Sequence, residues 1–313
     1  MNYFCTLFDS NYLSRGLAMY ESLSENCDSF HLYVFAFDDL CFDVLKNEKL
    51  KNVTIISLSD FEDPELLEIK PTRSAGEYCW TCTPSVIKYA IDKFNLPLCT
   101  YLDADLYFFN DPAVLIEEMG DKSILITEHR YTPRYDQSAT SGIYCVQFMT
   151  FKNDKYGMDS LIWWRDACLE WCYARFENGK FGDQKYLDDW PTRFENVHVL
   201  QHLGGGIAPW NIQQYDLVTS DFKLIFYHFH GLKFLNNNHV ELGNYRLKEI
   251  DIKILYSPYI KKLELIRKKI ENNDKKNDFH GTQSFEYHWK VPIRNVRRKM
   301  LGEYNIIKLS EFL

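Results

Sequence analysis

The sequence predicts an α/β fold: a Rossmann-like, mixed and mainly parallel sheet over residues 1–250, followed by a helical, basic C-terminal extension over residues 251–313. Three observations predict it. Short β-rich apolar runs alternate with segments of helical period through most of the chain. The run from Leu96 to Leu102 is apolar enough on both alternating faces to suit a strand covered on both sides. From residue 251 the strand pattern gives way to amphipathic and basic segments.

Taken in order, YFCTLF (3–8) reads as the first strand. Leu13, Leu17, Tyr20 and Leu23 then recur at helical spacing. HLYVFAF (31–37) and NVTIISLS (52–59) are the next strands, with a helix around 40–48 between them. Residues 78–95 read as a helix with Pro84 near its start. LPLCTYLDADLYFF supplies the central strand, closed by the turn Asn110-Asp111-Pro112. SILIT (123–127) and YCVQFMTF (144–151) are further strands, and 158–176 is an aromatic-rich helix ending before Asn178-Gly179. GGGIAPWN (204–211) is loop, and KLIFYHFHG (223–231) is a late strand ending in histidines. An amphipathic helix (254–271), a polar linker (271–278) and a basic, apolar-spaced tail (291–309) complete the pattern.

Composition narrows the class. Of 313 residues 46% are hydrophobic and 16% aromatic, which excludes global disorder. No apolar run approaches the roughly 20 residues of a membrane span, and MNYFCTLFDSNY lacks the basic start and apolar core of an export signal. The expectation is a cytoplasmic protein. Nine scattered cysteines suit buried structural thiols better than a disulfide framework. Cys79-x-x-Cys82 has no second CxxC to complete a zinc site. Net charge is −8, yet residues 251–313 carry 14 Lys/Arg against 8 Asp/Glu, so the first 250 residues hold −14. An acidic body argues against nucleic acid as a partner. The interleaved cations and apolar residues of 290–301 fit peripheral contact with an anionic membrane, or a helix packed on the body.

Asp103-Ala104-Asp105 is the strongest chemical signal. On a strand, side chains at i and i+2 share a face, so two carboxylates converge at the end of a buried parallel strand, where open α/β sheets bind ligands. A cation between them relieves their repulsion, and hard oxygen donors favour Mg²⁺ or Mn²⁺. In His228-Phe229-His230-Gly231-Leu232-Lys233 the two histidines share a face. An imidazole added to the carboxylates biases the site towards Mn²⁺, and Lys233 is within sequence reach of a diphosphate. His230 is the lesser candidate.

Asp9-Ser10-Asn11-Tyr12, TYLDADLYFF, Gly182-Asp183-Gln184 and HFHGLK, in this order, resemble the glycogenin-type glycosyltransferases and their bacterial lipopolysaccharide galactosyl- and glucosyltransferase relatives. CWTCTPSVIKYAI, WWRDACLEWC, GDQKYLDDWP and GGGIAPWNIQQYDL resemble an allied group found in bacterial polysaccharide gene clusters. The resemblance covers roughly residues 3–260 and implies the GT-A nucleotide-diphospho-sugar transferase fold, a UDP-linked donor, Mn²⁺ and retention of anomeric configuration. It places Asp9 and Tyr12 at the nucleoside, Asp103, Asp105 and His228 on the metal, Asp103 also towards the ribose, and Lys233 on phosphate. Asp183 and Gln184 would lie beneath the reacting sugar. The Gly231–Lys233 loop is one residue shorter than the glycogenin pattern and lacks its Pro-Trp, and Cys145 stands where many relatives carry Asn.

These readings together predict a hexosyltransferase acting on a saccharide or lipid-linked acceptor in surface polysaccharide or lipopolysaccharide synthesis. A nucleotidyltransferase would need a Gly-rich phosphate loop that DSNYLSRG is not. A sugar-nucleotide-binding protein without activity would need no metal cluster.

Overall fold

The computed structural model describes residues 1–271, 277–286 and 288–313. Of the polar linker expected at 271–278, residues 272–276 lie outside the described residues. The chain opens with β1 (Asn2–Phe8), α1 (Leu13–Asn26), β2 (Phe30–Ala36), α2 (Asp39–Glu48) and β3 (Val53–Ser57). There follow α3 (Ala75–Phe94), β4 (Leu98–Leu102), β5 (Leu106–Phe108), β6 (Ile124–Glu128), β7 (Tyr144–Lys152), α4 (Lys155–Glu170) and β8 (Val197–Val199). The last part holds β9 (Phe226–His228), β10 (Lys233–Leu235), β11 (His239–Glu241), α5 (Ser257–Glu271), α6 (Lys290–Leu301) and β12 (Ile306–Lys308).

The main sheet has seven strands in the order β3-β2-β1-β4-β7-β6-β8. Only β7 runs antiparallel to its neighbours, so the sheet is mixed and mainly parallel, as predicted. β4 lies at its centre. Cys99 and Tyr101 face the core under α3 and α4, while Leu102 faces the core under α1 and α5. Asp103 begins where this doubly covered strand leaves the sheet.

Two helices differ from their predicted form. α3 begins at Ala75, set by a capping box in which Ser74 and Glu77 satisfy each other's backbone N–H groups. Pro84 therefore sits in the helix interior, where it deprives the Trp80 carbonyl of its usual donor. α4 stops at Glu170, six residues earlier than expected, because other side chains take over its end: Tyr186 Oη donates to the Ala167 and Trp171 carbonyls, and Arg73 to that of Leu169. Cys172 is thus off the helix that carries Cys168, though both are buried. Eight of the nine cysteines are buried and all are free.

A short second ladder builds the site. β5 pairs antiparallel with β9, with Leu106 opposite His228. The described residues of 251–313 pack onto the rest of the chain: Tyr259, Leu263 and Ile270 of α5 join the core that α1 faces, and β12 adds a third strand to β10 and β11.

Candidate active site

Asp103 and Asp105 lie in the turn between β4 and β5 rather than on one continuous strand. The carboxylates still converge, because the turn is pinned at both ends. The Asp103 N–H donates to the Gln147 carbonyl (3.0 Å), and the Asp105 carbonyl accepts from the Phe229 N–H (3.0 Å). The β5–β9 register then delivers His228 beside them. His228 Nε2 lies 3.1 Å from Asp105 Oδ1 and 3.7 Å from Asp103 Oδ2, and one donor atom from each of the three fits within 4.8 Å of the others. Donors bound cis around an ion at about 2.1 Å stand roughly 3 Å apart, so the cluster fits a small divalent cation with little rearrangement. The donor set of two carboxylates and one imidazole suits Mn²⁺.

Gln147 fixes the histidine. Its Oε1 accepts from His228 Nδ1 at 2.6 Å, which leaves Nε2 facing the carboxylates whichever charge the ring carries. Burial opposes a charged His228, but the Asp105 carboxylate overrides this and raises its pKa well above the ordinary value. Burial also pushes Asp105 up, and the His228 ring holds it down to about 2. Burial raises Asp103 to about 6 despite the attraction of His228. The apolar surround thus leaves one carboxyl of the pair unready to ionise, a burden that a bound cation removes.

All eight residues singled out in the sequence line one cleft of about 890 Å³: Asp9, Tyr12, Asp103, Asp105, Asp183, Gln184, His228 and Lys233. Asp9 also caps the turn that follows it, accepting from the N–H groups of Asn11 (3.0 Å) and Tyr12 (3.2 Å). The Tyr12 ring is exposed to the cleft with the Arg15 guanidinium 4.6 Å from its centre. Asp183 is buried, and burial together with Asp103 pushes its carboxyl up to about 8. Gln184 Nε2 donates to the Ser141 carbonyl (2.6 Å), which commits the nitrogen end of its amide. Lys233 is exposed at the start of β10.

The cleft also holds residues that the sequence reading passed over. His230, the lesser candidate of the sequence and so not among them, is buried and pushed down to about 4, and it faces Trp210 instead of joining the metal cluster. Trp80 lies on the cleft wall beside Phe181 and Gly182. Arg15 is buried among the lining residues. Of the three tryptophans in 163–171, Trp164 is wholly buried on α4, Trp163 is half-buried on the same helix, and Trp171 lies just past its end.

No family profile matches the chain. It is similar in sequence to the uncharacterized protein YfnD of Bacillus subtilis (strain 168), with 34% identity over 278 residues, covering 84% of this chain and 88% of YfnD. Uncharacterized protein YfnF of the same organism is 31% identical over 254 residues, covering 76% and 84% of the two chains. In structure it is similar to the galactosyltransferase LgtC bound to donor and acceptor sugar analogues (TM-score 0.55, 12% identity, 84% of this chain and 95% of that one). It is also similar to the bifunctional glycosyltransferase WbbM (0.54, 13%, 86% and 51%) and to the glycosyltransferase GlyE of Streptococcus pneumoniae TIGR4 (0.53, 12%, 87% and 63%). The chain has the GT-A glycosyltransferase fold, and it belongs to the family of YfnD and YfnF.

Proposed function

We propose that the chain is a metal-dependent, retaining hexosyltransferase that takes its sugar from a UDP-linked donor. Residues 1–250 form its catalytic part and 251–313 an extension. The observation that carries this reading is the convergence of Asp103, Asp105 and His228 in the same cleft as Asp9, Tyr12, Asp183, Gln184 and Lys233. In the reaction the anomeric C–O bond to phosphate breaks and its electron pair leaves with the diphosphate. The acceptor oxygen bonds to the sugar on the same face and gives its proton to the departing phosphate oxygen.

Mn²⁺ (or Mg²⁺) held by Asp103, Asp105 and His228 would supply Lewis-acid stabilisation of the leaving group. The chain's own residues do the rest. Lys233 adds a positive charge beside the diphosphate, and Tyr12 offers its ring to the base. Gln184, with its nitrogen committed to Ser141, turns an amide oxygen towards the sugar as positive charge develops there. Asp183, its carboxyl pushed up to about 8, keeps its proton and orients the sugar by hydrogen bonding. Incubation with a panel of sugar nucleotides tests the reading: turnover of a UDP-sugar is expected with Mn²⁺ and not after chelation. Full nucleotide and metal binding with no turnover of any donor would make it a binding protein.

The acceptor we infer is a saccharide or lipid-linked acceptor of surface polysaccharide or lipopolysaccharide synthesis, met at the inner face of the cell membrane. Among the described residues no helix is long and apolar enough to cross a membrane. α6 instead offers a surface. Trp289, Ile293, Val296 and Met300, spaced as one helical face, are 59–82% exposed. Lys290, Arg294, Arg297 and Lys299 stand exposed along the same helix. Arg298, counted in the sequence among these cations, points inward and pairs with Glu241 at 2.8 Å, which fixes the helix with its apolar face outward. The chain is expected to sediment with vesicles containing anionic lipid and not with neutral ones. Val296→Glu together with Met300→Glu is expected to lower that binding about tenfold or more without altering donor turnover. Equal sedimentation with both lipids would remove the membrane from the reading.

A further inference from the structure

Arg15 lies opposite the apolar stripe that defines α1 in the sequence, a position that reads as solvent-facing, yet it is only 4% exposed. Its hydrogen bonds all go to neutral acceptors. Nη1 donates to the carbonyl of His280 (2.9 Å) and more distantly to that of Asn11 (3.5 Å), and Nη2 to that of Leu232 (3.2 Å). The guanidinium also lies over the rings of Tyr12 and Phe234. Among the described residues it forms no ion pair with a carboxylate, although it borders the cleft. Burying a cation this way is costly unless something negative balances it. Carbonyls and aromatic faces soften that cost without cancelling it.

The two carbonyls that Arg15 holds most closely, those of His280 and Leu232, belong to segments far apart in sequence. Leu232 precedes Lys233. His280 belongs to a segment, 278–283, that enters from beyond residue 277 and lines the cleft through Asp278, Gly281, Thr282 and Gln283. This segment is firmly seated. The His280 ring stacks on Phe234 (3.8 Å between centres), accepts at Nδ1 from Ser14 Oγ (2.7 Å) and donates from Nε2 to Glu264 (2.9 Å). Gly281, at φ +60°, passes so near Asn11 that a Cβ would meet that residue at 3.1 Å. Segments 9–12, 231–233 and 278–283 therefore meet at one guanidinium.

We propose that Arg15 is a positioning residue for the donor: its fork holds the Lys233 turn and segment 278–283 as one wall of the nucleoside diphosphate pocket, and its positive charge favours the diphosphate. The proposal rests on the cleft being a donor site, and it goes further by giving the C-terminal extension a part in that site. Lysine keeps the charge but cannot span both carbonyls, while glutamine loses the charge.

Calorimetric titration of the intact chain in Mn²⁺ with UDP and with uridine separates the cases. Arg15→Lys is expected to weaken UDP about tenfold and Arg15→Gln about a hundredfold, with a much smaller loss for uridine. Affinity for Mn²⁺ alone is expected to stay the same or rise, since a nearby positive charge has been lost. A residue that only supported the fold would lower metal, uridine and UDP binding together. Should Arg15→Gln not fold, Thr282→Ala with Gln283→Ala, both at exposed cleft positions, is expected to weaken UDP several-fold. Folded Arg15 variants that bind UDP as the parent does, or a 282/283 variant with unchanged affinity, would overturn the proposal. A parent chain that binds no nucleotide would instead overturn the donor-site reading on which it stands.

Discussion

Replacing Asp105 by asparagine is expected to lower sugar transfer by about a thousandfold or more, with Mn²⁺ affinity falling by at least about a hundredfold. Asparagine has nearly the same shape, so the β5–β9 pairing that seats His228 persists. What disappears is the charge. Asp105 is the carboxylate held down to about 2, so it is the member of the pair that is ionised across the physiological range. Without it His228 loses the neighbour that raises its pKa. Asp103→Asn is expected to be almost as damaging to transfer but to stabilise the metal-free fold. The Asp103 carboxyl sits above its ordinary value, so its ionisation weakens the folded state as pH rises through about 6. The same ionisation aids metal binding, so Mn²⁺ affinity should climb with pH through that region. Electron paramagnetic resonance of free Mn²⁺ and thermal unfolding, run on the same preparations, measure both effects. Transfer at the parent rate by Asp105→Asn would sink the metal-dependent reading.

Glu264→Ala is expected to cost about 3 kcal/mol of stability, the usual result of removing one partner from a buried charged network. The Glu264 side chain is 3% exposed and accepts from Arg267 Nη2 (2.8 Å), Arg267 Nε (3.1 Å) and His280 Nε2 (2.9 Å). Burial would raise its pKa, but the His280 hydrogen bond and Arg267 hold it down to about 2. His280 is itself lowered by burial, so it acts as a neutral donor and Arg267 supplies the countercharge. The sign follows from the depressed carboxyl. Its contribution is complete above the unfolded value of about 4.5 and is lost as pH falls through about 2. Denaturant midpoints for the parent should therefore fall more steeply between those limits than midpoints for Glu264→Gln. Parallel curves would show that the network contributes nothing of this kind. Because His280 seats segment 278–283, the alanine variant should also bind UDP less tightly.

What the sequence disclosed followed from the range of the interactions involved. The sheet was legible because strand and helix periods are local, and Asp103 and Asp105 because they close a run that only a doubly covered strand explains. The eight site residues, drawn from four stretches of chain, share a cleft because β1 and β4 of the parallel sheet end at one edge and the antiparallel β5–β9 ladder brings His228 beside them. Arg15 was hidden for the opposite reason. Its burial is decided by Leu232 and His280, 217 and 265 positions away, and nothing in α1 announces them. Pro84 misled because proline usually marks a first turn, whereas Ser74 and Glu77, further back, set the start of α3. α4 ends early where Tyr186 and Arg73 claim its last carbonyls, Arg73 from 96 positions away.

The pairing of α5 with α1, and of β12 with β11, has a consequence for synthesis. The first helix to leave the ribosome must wait for His280, the late partner of both its Arg15 and its Ser14, until the C-terminal segment follows. Contacts of such long sequence separation form slowly and late. A nascent chain would thus have its sheet before its nucleotide pocket, and stalling it after residue 250 should yield a protease-resistant body with the α1 segment still open to cleavage.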